Sequence, residues 1–177
     1  MILGSATGGV TLPNKNNTSV AFGGAATPVE IADCTGFTSS GTSNAADSGR
    51  IRASPVTASD SFTVTKIRFY GTGTGGNVKL SIYSDDSNSP NALLATTGSK
   101  EFVSETTDYD LDSSYEVSSG TKYWLSFQND FTVTIITGTD GPKAGVYKNG
   151  VDFGTTPNPF GTPTDYTTSG TQICMVN

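Results

Sequence analysis

Apolar and polar residues alternate along many short stretches of this chain, most regularly between Phe62 and Ile136. The clearest apolar sets of one parity are Val78, Leu80 and Ile82, and then Tyr123, Leu125 and Phe127. A period of two is typical of strands that bury one face, because successive side chains point to opposite sides of a sheet. Turn-forming residues recur at about the 8–12 residue spacing of sandwich folds. The pattern therefore predicts an all-β fold, an antiparallel two-sheet β-sandwich of the jelly-roll type.

The long alternating run Phe62–Tyr70 changes its apolar phase midway. Phe62 and Val64 share one parity, whereas Ile67 and Phe69 take the opposite one. A shift of one residue moves every following side chain to the other face unless an extra residue is accommodated. The run therefore predicts a strand that contains a β-bulge.

The glycine-rich segment Gly71–Gly76 is predicted to be a hairpin loop, because glycine tolerates the positive φ values of tight turns. Its letters also satisfy the pattern G-x-G-x-x-G. A dinucleotide-binding fingerprint must open a helix, whose N-terminus receives the pyrophosphate. The residues that follow, Asn77–Tyr83, alternate as a strand instead, so we expect no cofactor.

The two ends of the chain are less regular. Residues 1–27 are rich in Gly, Thr and Asn and carry only scattered apolar residues, which predicts an extended N-terminal arm. Residues 28–177 are predicted to form a single β-sandwich domain. Towards the C-terminus, the dipeptide Asn149-Gly150 predicts a hairpin that pairs Val146-Tyr147 with the residues from Val151 onwards.

Composition excludes several classes of partner. The chain has 177 residues, which fits one domain, and a net charge of −6 from ten Lys plus Arg and sixteen Asp plus Glu. An acidic chain without a basic stripe predicts no nucleic-acid binding. No apolar run approaches the roughly 20 residues of a membrane span, so we expect no membrane partner. Residues 1–5 do not begin a basic and then apolar leader, so we expect no secretory signal.

Two cysteines, Cys34 and Cys174, lie near opposite ends of the chain. The preferred interpretation is two small buried apolar residues, since free cysteine is among the most buried types. The alternative is a disulfide that closes the first strand onto the last and constrains a long loop. Spacing alone leaves both open.

The absence of histidine bears directly on catalysis. It excludes a Ser-His-Asp arrangement and removes the commonest general base and metal ligand. Paired carboxylates could act as acid and base in hydrolysis, and the candidates are Asp108, Asp110, Glu105 and Glu116. No feature of the sequence marks any of them for a raised pKa. We therefore expect that the protein is not an enzyme.

Three carboxylates, Asp108, Asp110 and Asp112, share one face of a predicted strand. Crowded carboxylate oxygens suit a hard cation such as Ca²⁺, so these residues are candidate calcium ligands. The alternative is an edge strand that its charges protect from aggregation. The segment Asp85–Asn88 is a second oxygen-rich candidate, for which a plain polar turn is the alternative.

Two aromatic residues depart from the apolar sets. Trp124 has the parity opposite to Tyr123, and Tyr83 has the parity opposite to Ile82. If those sets form the core, Trp124 and Tyr83 lie on the other face and offer a platform for sugar stacking or a subunit contact. The alternative is that Trp124 itself belongs to the core and the parity is reversed.

Three segments resemble a known module. They are Gly76-Asn77-Val78-Lys79-Leu80-Ser81-Ile82-Tyr83, Pro90-Asn91-Ala92-Leu93-Leu94-Ala95 and Gly120-Thr121-Lys122-Tyr123-Trp124-Leu125. Together they resemble a jelly-roll-like β-sandwich module of phage virion proteins and bacterial surface proteins. The resemblance covers roughly residues 62–136 and implies a fold, whereas such modules serve adhesive, decorating and sugar-binding roles alike. It implies no catalytic residues.

Two functions agree with these features. The first is a virion structural protein without enzymatic activity, a capsid decoration or cement protein of a tailed phage that docks on the major capsid protein or other virion subunits. It would act as a homo-oligomer in the extracellular particle, released without a secretory signal. The second is a carbohydrate-binding or adhesion module at a tail fibre or on the cell surface, with a glycan as its partner.

Overall fold

The computed structural model describes residues 10–13, 19–22, 32–34, 42–137, 145–167 and 170–177. Within these ranges the chain forms fifteen β-strands and no helix, so no helix there could span a membrane. The strands are β1 Val10–Pro13, β2 Ser19–Phe22, β3 Ala32–Asp33, β4 Thr42–Ala46, β5 Arg50–Thr57, β6 Phe62–Thr72, β7 Asn77–Asp86, β8 Ser89–Thr96, β9 Lys100–Glu101, β10 Glu105–Val117, β11 Lys122–Asn129, β12 Val133–Thr137, β13 Gly145–Asn149, β14 Asp165–Thr167 and β15 Ile173–Val176. The predicted all-β class is confirmed.

The chain divides into two compact units between Glu30 and Ile31. The first unit contains an antiparallel strand pair, β1 with β2, which we call the N-terminal β-pair. In its register Val10 lies opposite Phe22 and Leu12 lies opposite Val20. The remainder of the predicted arm over residues 1–27 lies outside the described residues, and the domain boundary predicted at residue 28 stays a prediction.

The second unit contains two antiparallel sheets that pack as a sandwich. In the first sheet the order is β3-β15-β6-β12-β4, and β10 pairs with β6 along its opposite edge. In the second sheet the order is β14-β13-β5-β11-β7-β8, and the short strand β9 also pairs with β7. The predicted two-sheet antiparallel sandwich is confirmed, whereas the jelly-roll connection stays a prediction.

The main hydrophobic core lies between the two sheets. Strands β6 and β7 contribute the fully buried residues Val64, Ile67, Phe69, Val78, Leu80 and Ile82. Strand β11 adds Tyr123, Leu125 and Phe127, and the rings of Phe69 and Phe127 lie 5.2 Å apart across the sandwich. The two apolar sets predicted from alternation are therefore the inner face of the second sheet.

Three local predictions need correction or refinement. The segment Gly71–Gly76 does not close a hairpin, because β6 and β7 belong to different sheets and the segment crosses between them. The phase change in β6 is real, but the irregular register lies on its partner β10, between Asp110 and Tyr115. The hairpin predicted at Asn149-Gly150 is absent from the described residues, since β13 pairs with β14 and no strand begins at Val151.

The preferred interpretation of the cysteines is wrong, because Cys34 and Cys174 form a disulfide. In the β3–β15 pair Asp33 lies opposite Met175 and Ala32 opposite Val176, so the antiparallel register brings Cys34 opposite Cys174. Their Cα atoms lie 4.9 Å apart, within the range that a disulfide spans. The bond therefore ties the beginning of the second unit to the last strand of the chain.

Candidate functional site

The outer face of the second sheet carries an ordered set of residue pairs along β7 and β11. The register places Lys79 opposite Gln128, Ser81 opposite Ser126, and Tyr83 opposite Trp124. One step further along the same face, Lys122 Nζ lies 3.5 Å from Asp85 Oδ1. We call these four pairs the outer ladder, which runs from a polar end through an aromatic row to an ion pair.

A segment without strands, residues 151–164, covers much of the outer ladder, and we call it the cover loop. Val151 and Phe160 from this loop pack with Tyr83 and Trp124 in a second buried apolar cluster. The Tyr83 and Phe160 rings meet edge to face at 5.2 Å between centroids. The second sheet therefore buries apolar side chains on both of its faces.

Hydrogen bonds fasten the cover loop to several strands at once. The Tyr83 hydroxyl donates to the Pro157 carbonyl at 2.8 Å, and the Phe160 amide donates to the Asn91 carbonyl at 2.8 Å. The Lys148 ammonium donates to the Phe160 carbonyl at 2.9 Å. These bonds reach β7, β8 and β13, so the loop also covers backbone groups at the β8 edge of the sheet.

The structure shows on which face of the second sheet the Trp124 and Tyr83 rings lie and how far they are buried. Both rings lie on the face opposite to Tyr123 and Ile82, so the predicted parity is correct. Both rings are buried on that face, since Trp124 is 2% exposed and Tyr83 is fully buried. The cover loop occupies the face on which a sugar ring would stack, and burial raises the pKa of the Tyr83 hydroxyl.

The ion-pair end of the outer ladder is organised around Asp85. Its carboxylate accepts the Trp124 indole N–H at 2.7 Å and the Asn88 backbone N–H at 3.3 Å. Burial opposes ionisation, but the bonds from Trp124 and Asn88 and the charge of Lys122 outweigh it, so the pKa of Asp85 is lowered. Lys122 also donates to the side-chain oxygen of Asn88 and lies over the Trp124 ring at 5.2 Å.

The segment Asp85–Asn88, a calcium candidate in the sequence, thus comprises the end of β7 and the two-residue turn that leads to β8. Ser87 and Asn88 both have positive φ, 52° and 69°, as a two-residue hairpin turn requires. The carboxylate of Asp85 is engaged by the Trp124 and Asn88 N–H groups and by the Lys122 ammonium. This agrees with the polar-turn alternative.

The polar end of the outer ladder consists of Lys79, Ser81, Ser126 and Gln128, and we call it the polar layer. All four side chains are buried, with Ser126 and Gln128 only 1% exposed. The Gln128 amide nitrogen donates to the Thr155 carbonyl at 3.1 Å, and the Lys79 ammonium donates to the Phe153 carbonyl at 2.9 Å. The hydroxyl oxygen of Ser126 and the amide oxygen of Gln128 have no hydrogen-bond partner.

Sequence reasoning missed the polar layer, although a signal existed. Lys79 and Ser81 precede Tyr83 at its own parity, and Ser126 and Gln128 follow Trp124 at its parity. The alternation placed all of them together on the outer face, where polar residues are ordinarily solvated. Only the path of the cover loop, which no local pattern predicts, turns this face into buried surface.

The predicted calcium ligands Asp108, Asp110 and Asp112 all lie exposed on β10. Asp108 forms a two-pronged ion pair with Arg68, at 2.6 Å to Nε and 2.9 Å to the terminal nitrogen, and Asp112 lies 3.8 Å from the Lys100 ammonium. Among the residues that the structure describes, no group of three His, Cys, Asp or Glu could hold a metal ion. In the described sheet β10 pairs only with β6, so these charges lie on an edge strand.

A shallow groove of about 390 Å³ lies where the β7–β8 turn meets the cover loop. One wall carries Asp86, Ser89 and Asn91, and the other carries Pro159 and Thr162. No aromatic ring lines it, and its side chains are partly or fully exposed except for Pro90. The groove therefore offers polar contacts but no stacking surface.

Comparison with known proteins does not assign the chain to a family. No protein-family model matches the chain, and no curated protein matches it either.

Proposed function

We propose that this chain is a non-enzymatic structural protein of a virion, a capsid decoration or cement protein that docks on the major capsid protein. The observation that carries the proposal is the organisation into two units, a disulfide-closed sandwich and a separate N-terminal β-pair. In this account the sandwich is the displayed body and the β-pair is the docking element. The protein occupies the extracellular particle and assembles there as a homo-oligomer.

The register of the N-terminal β-pair supports a docking role. The backbone register pairs apolar residues with one another, Val10 with Phe22 and Leu12 with Val20. Directly opposed residues of an antiparallel pair are the unit through which a strand pair is stabilised. A two-stranded pair is marginally stable by itself in water, so in this proposal the β-pair gains stability when its apolar residues bind a partner surface.

The disulfide supports the same role mechanically. Cys34 lies just after the boundary between the units and is bonded to Cys174 in β15. Strand β15 in turn pairs with β6, the central strand of the first sheet. The beginning of the second unit is thus fixed to the first sheet by a covalent bond as well as by the two-residue strand β3.

Docking of this kind acts by mass action, without turnover. Binding of the chain to assembled subunits, and not to dissociated ones, stabilises the assembled state in proportion to the logarithm of ligand concentration over Kd. An exposed acidic surface on the sandwich, consistent with the net charge of −6, keeps the displayed bodies soluble.

The test compares two matched variants of the full chain. Leu12→Asp replaces an apolar residue of the β-pair by a charge, and Thr11→Asp places the same charge at the neighbouring polar position of the same strand. We expect Leu12→Asp to lose co-sedimentation with shells that lack this chain, and Thr11→Asp to retain it. Equal binding by both variants would show that the apolar residues of the β-pair do not mediate docking.

A further inference from the structure

We propose that the polar layer, formed by Lys79, Ser81, Ser126 and Gln128, is a binding site for a small hydroxy-carboxylate such as a uronic acid. The site lies under the turn Asp152–Thr155 of the cover loop, which acts as its lid. This inference is independent of docking on a virion. The proposed site lies at the polar end of the outer ladder, apart from the aromatic pair Tyr83 and Trp124.

The first argument is the charge of Lys79. Its side chain is 9% exposed, and lysine is almost never buried without a paired charge. Its partners are the Phe153 carbonyl at 2.9 Å and the Phe153 ring at 5.3 Å. Among the described residues it forms no ion pair, so a buried cation here lacks a counter-charge that an incoming carboxylate would supply.

The second argument is the unmet hydrogen-bonding capacity beside that charge. Gln128 lies opposite Lys79, and Ser126 is the next residue but one on the same face. Both side chains are 1% exposed, yet the Gln128 Oε1 and Ser126 Oγ atoms have no partner. Buried polar atoms are nearly always satisfied, so two unsatisfied atoms in one layer point to a ligand that completes them.

The chemistry of the layer selects the ligand. Lys79 and the amide nitrogen of Gln128 are donors, which suit a carboxylate. Gln128 Oε1 is an acceptor and needs a hydroxyl donor, and Ser126 Oγ can serve as donor or acceptor. A ligand that carries both a carboxylate and adjacent hydroxyls satisfies all of these groups, whereas a plain anion or a neutral sugar satisfies only some of them.

The lid is held by the same groups that the ligand would engage. Gln128 donates to the Asp152 carbonyl at 3.4 Å and to the Thr155 carbonyl at 3.1 Å, and Lys79 donates to Phe153. The 3.4 Å bond is long, and Asp152, Gly154 and Thr155 are exposed. When the turn lifts, the two oxygens of a carboxylate can replace the Thr155 and Phe153 carbonyls, so that Gln128 and Lys79 each keep an acceptor.

The test is calorimetric titration of the intact, disulfide-bonded chain with glucuronate, glucose and acetate. Glucose lacks the carboxylate and acetate lacks the hydroxyls. We expect saturable binding of glucuronate at least tenfold tighter than binding of either control. Lys79→Met should weaken it at least tenfold, whereas Lys66→Met, which removes the same charge from the first sheet, should leave it unchanged.

A second measurement, thermal unfolding, needs no variant, so the proposal can still be tested if Lys79→Met does not fold. The thermal midpoint of the unaltered chain should rise with glucuronate concentration, as binding to the folded state requires, and should rise less with glucose or acetate. Three results would each overturn the proposal: no saturable binding of glucuronate, equal effects of all three probes, or an equal loss in Lys66→Met.

Discussion

The indole nitrogen of Trp124 donates a hydrogen bond to the carboxylate of Asp85 at 2.7 Å. Trp124 is the single tryptophan of the chain and belongs to the apolar cluster beneath the cover loop. Asp85 lies near the end of β7, next to the β7–β8 turn. Tryptophan fluorescence therefore reports directly on the outer face of the second sheet.

Replacement of Asp85 by alanine leaves the buried indole N–H without its acceptor. We expect Asp85→Ala to lower the free energy of unfolding by about 1–3 kcal/mol, the cost of an unsatisfied buried donor. Asp86→Ala is the matched control, because Asp86 is the exposed neighbour and its carboxylate accepts a hydrogen bond from the adjacent Ser87 hydroxyl. Urea denaturation followed by tryptophan fluorescence measures both; an equal loss in the two variants would contradict the assigned role of Asp85.

The lowered pKa of Asp85 gives this contact a pH dependence. Burial opposes ionisation, and the bonds from Trp124 and Asn88 together with Lys122 more than compensate for it. Because the folded pKa lies below the unfolded value of about 3.9, the stabilisation is present above that pH and is lost as pH falls through the folded pKa. Unfolding measured between pH 5 and pH 2 should therefore depend less steeply on pH in Asp85→Asn than in the unaltered chain.

The Cys34–Cys174 disulfide closes a loop with a sequence separation of 140 residues. Loop-closure entropy for a loop of this length gives up to about 5 kcal/mol of stabilisation, so reduction should lower the midpoint of denaturation substantially. The double variant Cys34→Ser with Cys174→Ser should behave like the reduced chain and should not respond to reductant. A reductant effect of the same size in the double variant would show that the loss arises elsewhere.

Alanine substitutions at Gly75 and Gly76 distinguish the cost of backbone strain from the cost of steric contact. Their φ values are similar, 80° and 72°, so alanine at either position costs about 1–2 kcal/mol for the left-handed backbone. A Cβ at Gly76 would also meet the Phe131 ring and the Asp130 carboxylate, whereas a Cβ at Gly75 meets nothing within 4 Å. We expect Gly76→Ala to be more destabilising than Gly75→Ala by a further ~1–3 kcal/mol. Equal losses would mean that the Phe131 ring moves aside freely.

Alternation in the sequence was sufficient to predict the inner faces of the sandwich. Val78 and Leu80 alternate with polar residues, and Leu125 and Phe127 do the same, because each strand buries one face against the other sheet. The parity of Trp124 also followed correctly from this pattern. These features depend only on the geometry of a strand, which is local.

The remaining features depend on residues far apart in sequence. The cover loop buries Trp124 through Phe160, and residues 151–164 carry no periodic pattern that would place them over a sheet. The Cys34–Cys174 bond depends on β3 and β15 becoming neighbours, which the spacing of two cysteines does not reveal. Likewise the crowding of Asp108 and Asp112 along one strand suggested calcium ligands. In the structure these carboxylates contact basic residues of other strands, Arg68 and Lys100, which the local sequence does not reveal.

The most direct test of the proposed function is quantitative mass spectrometry of purified particles from the source, with the copy number of this chain compared with that of the main shell protein. The account predicts a ratio near one to one or a fixed simple fraction, as a decoration protein on a symmetric shell requires. A handful of copies per particle would contradict placement on the shell, and absence from particles would contradict the virion role altogether.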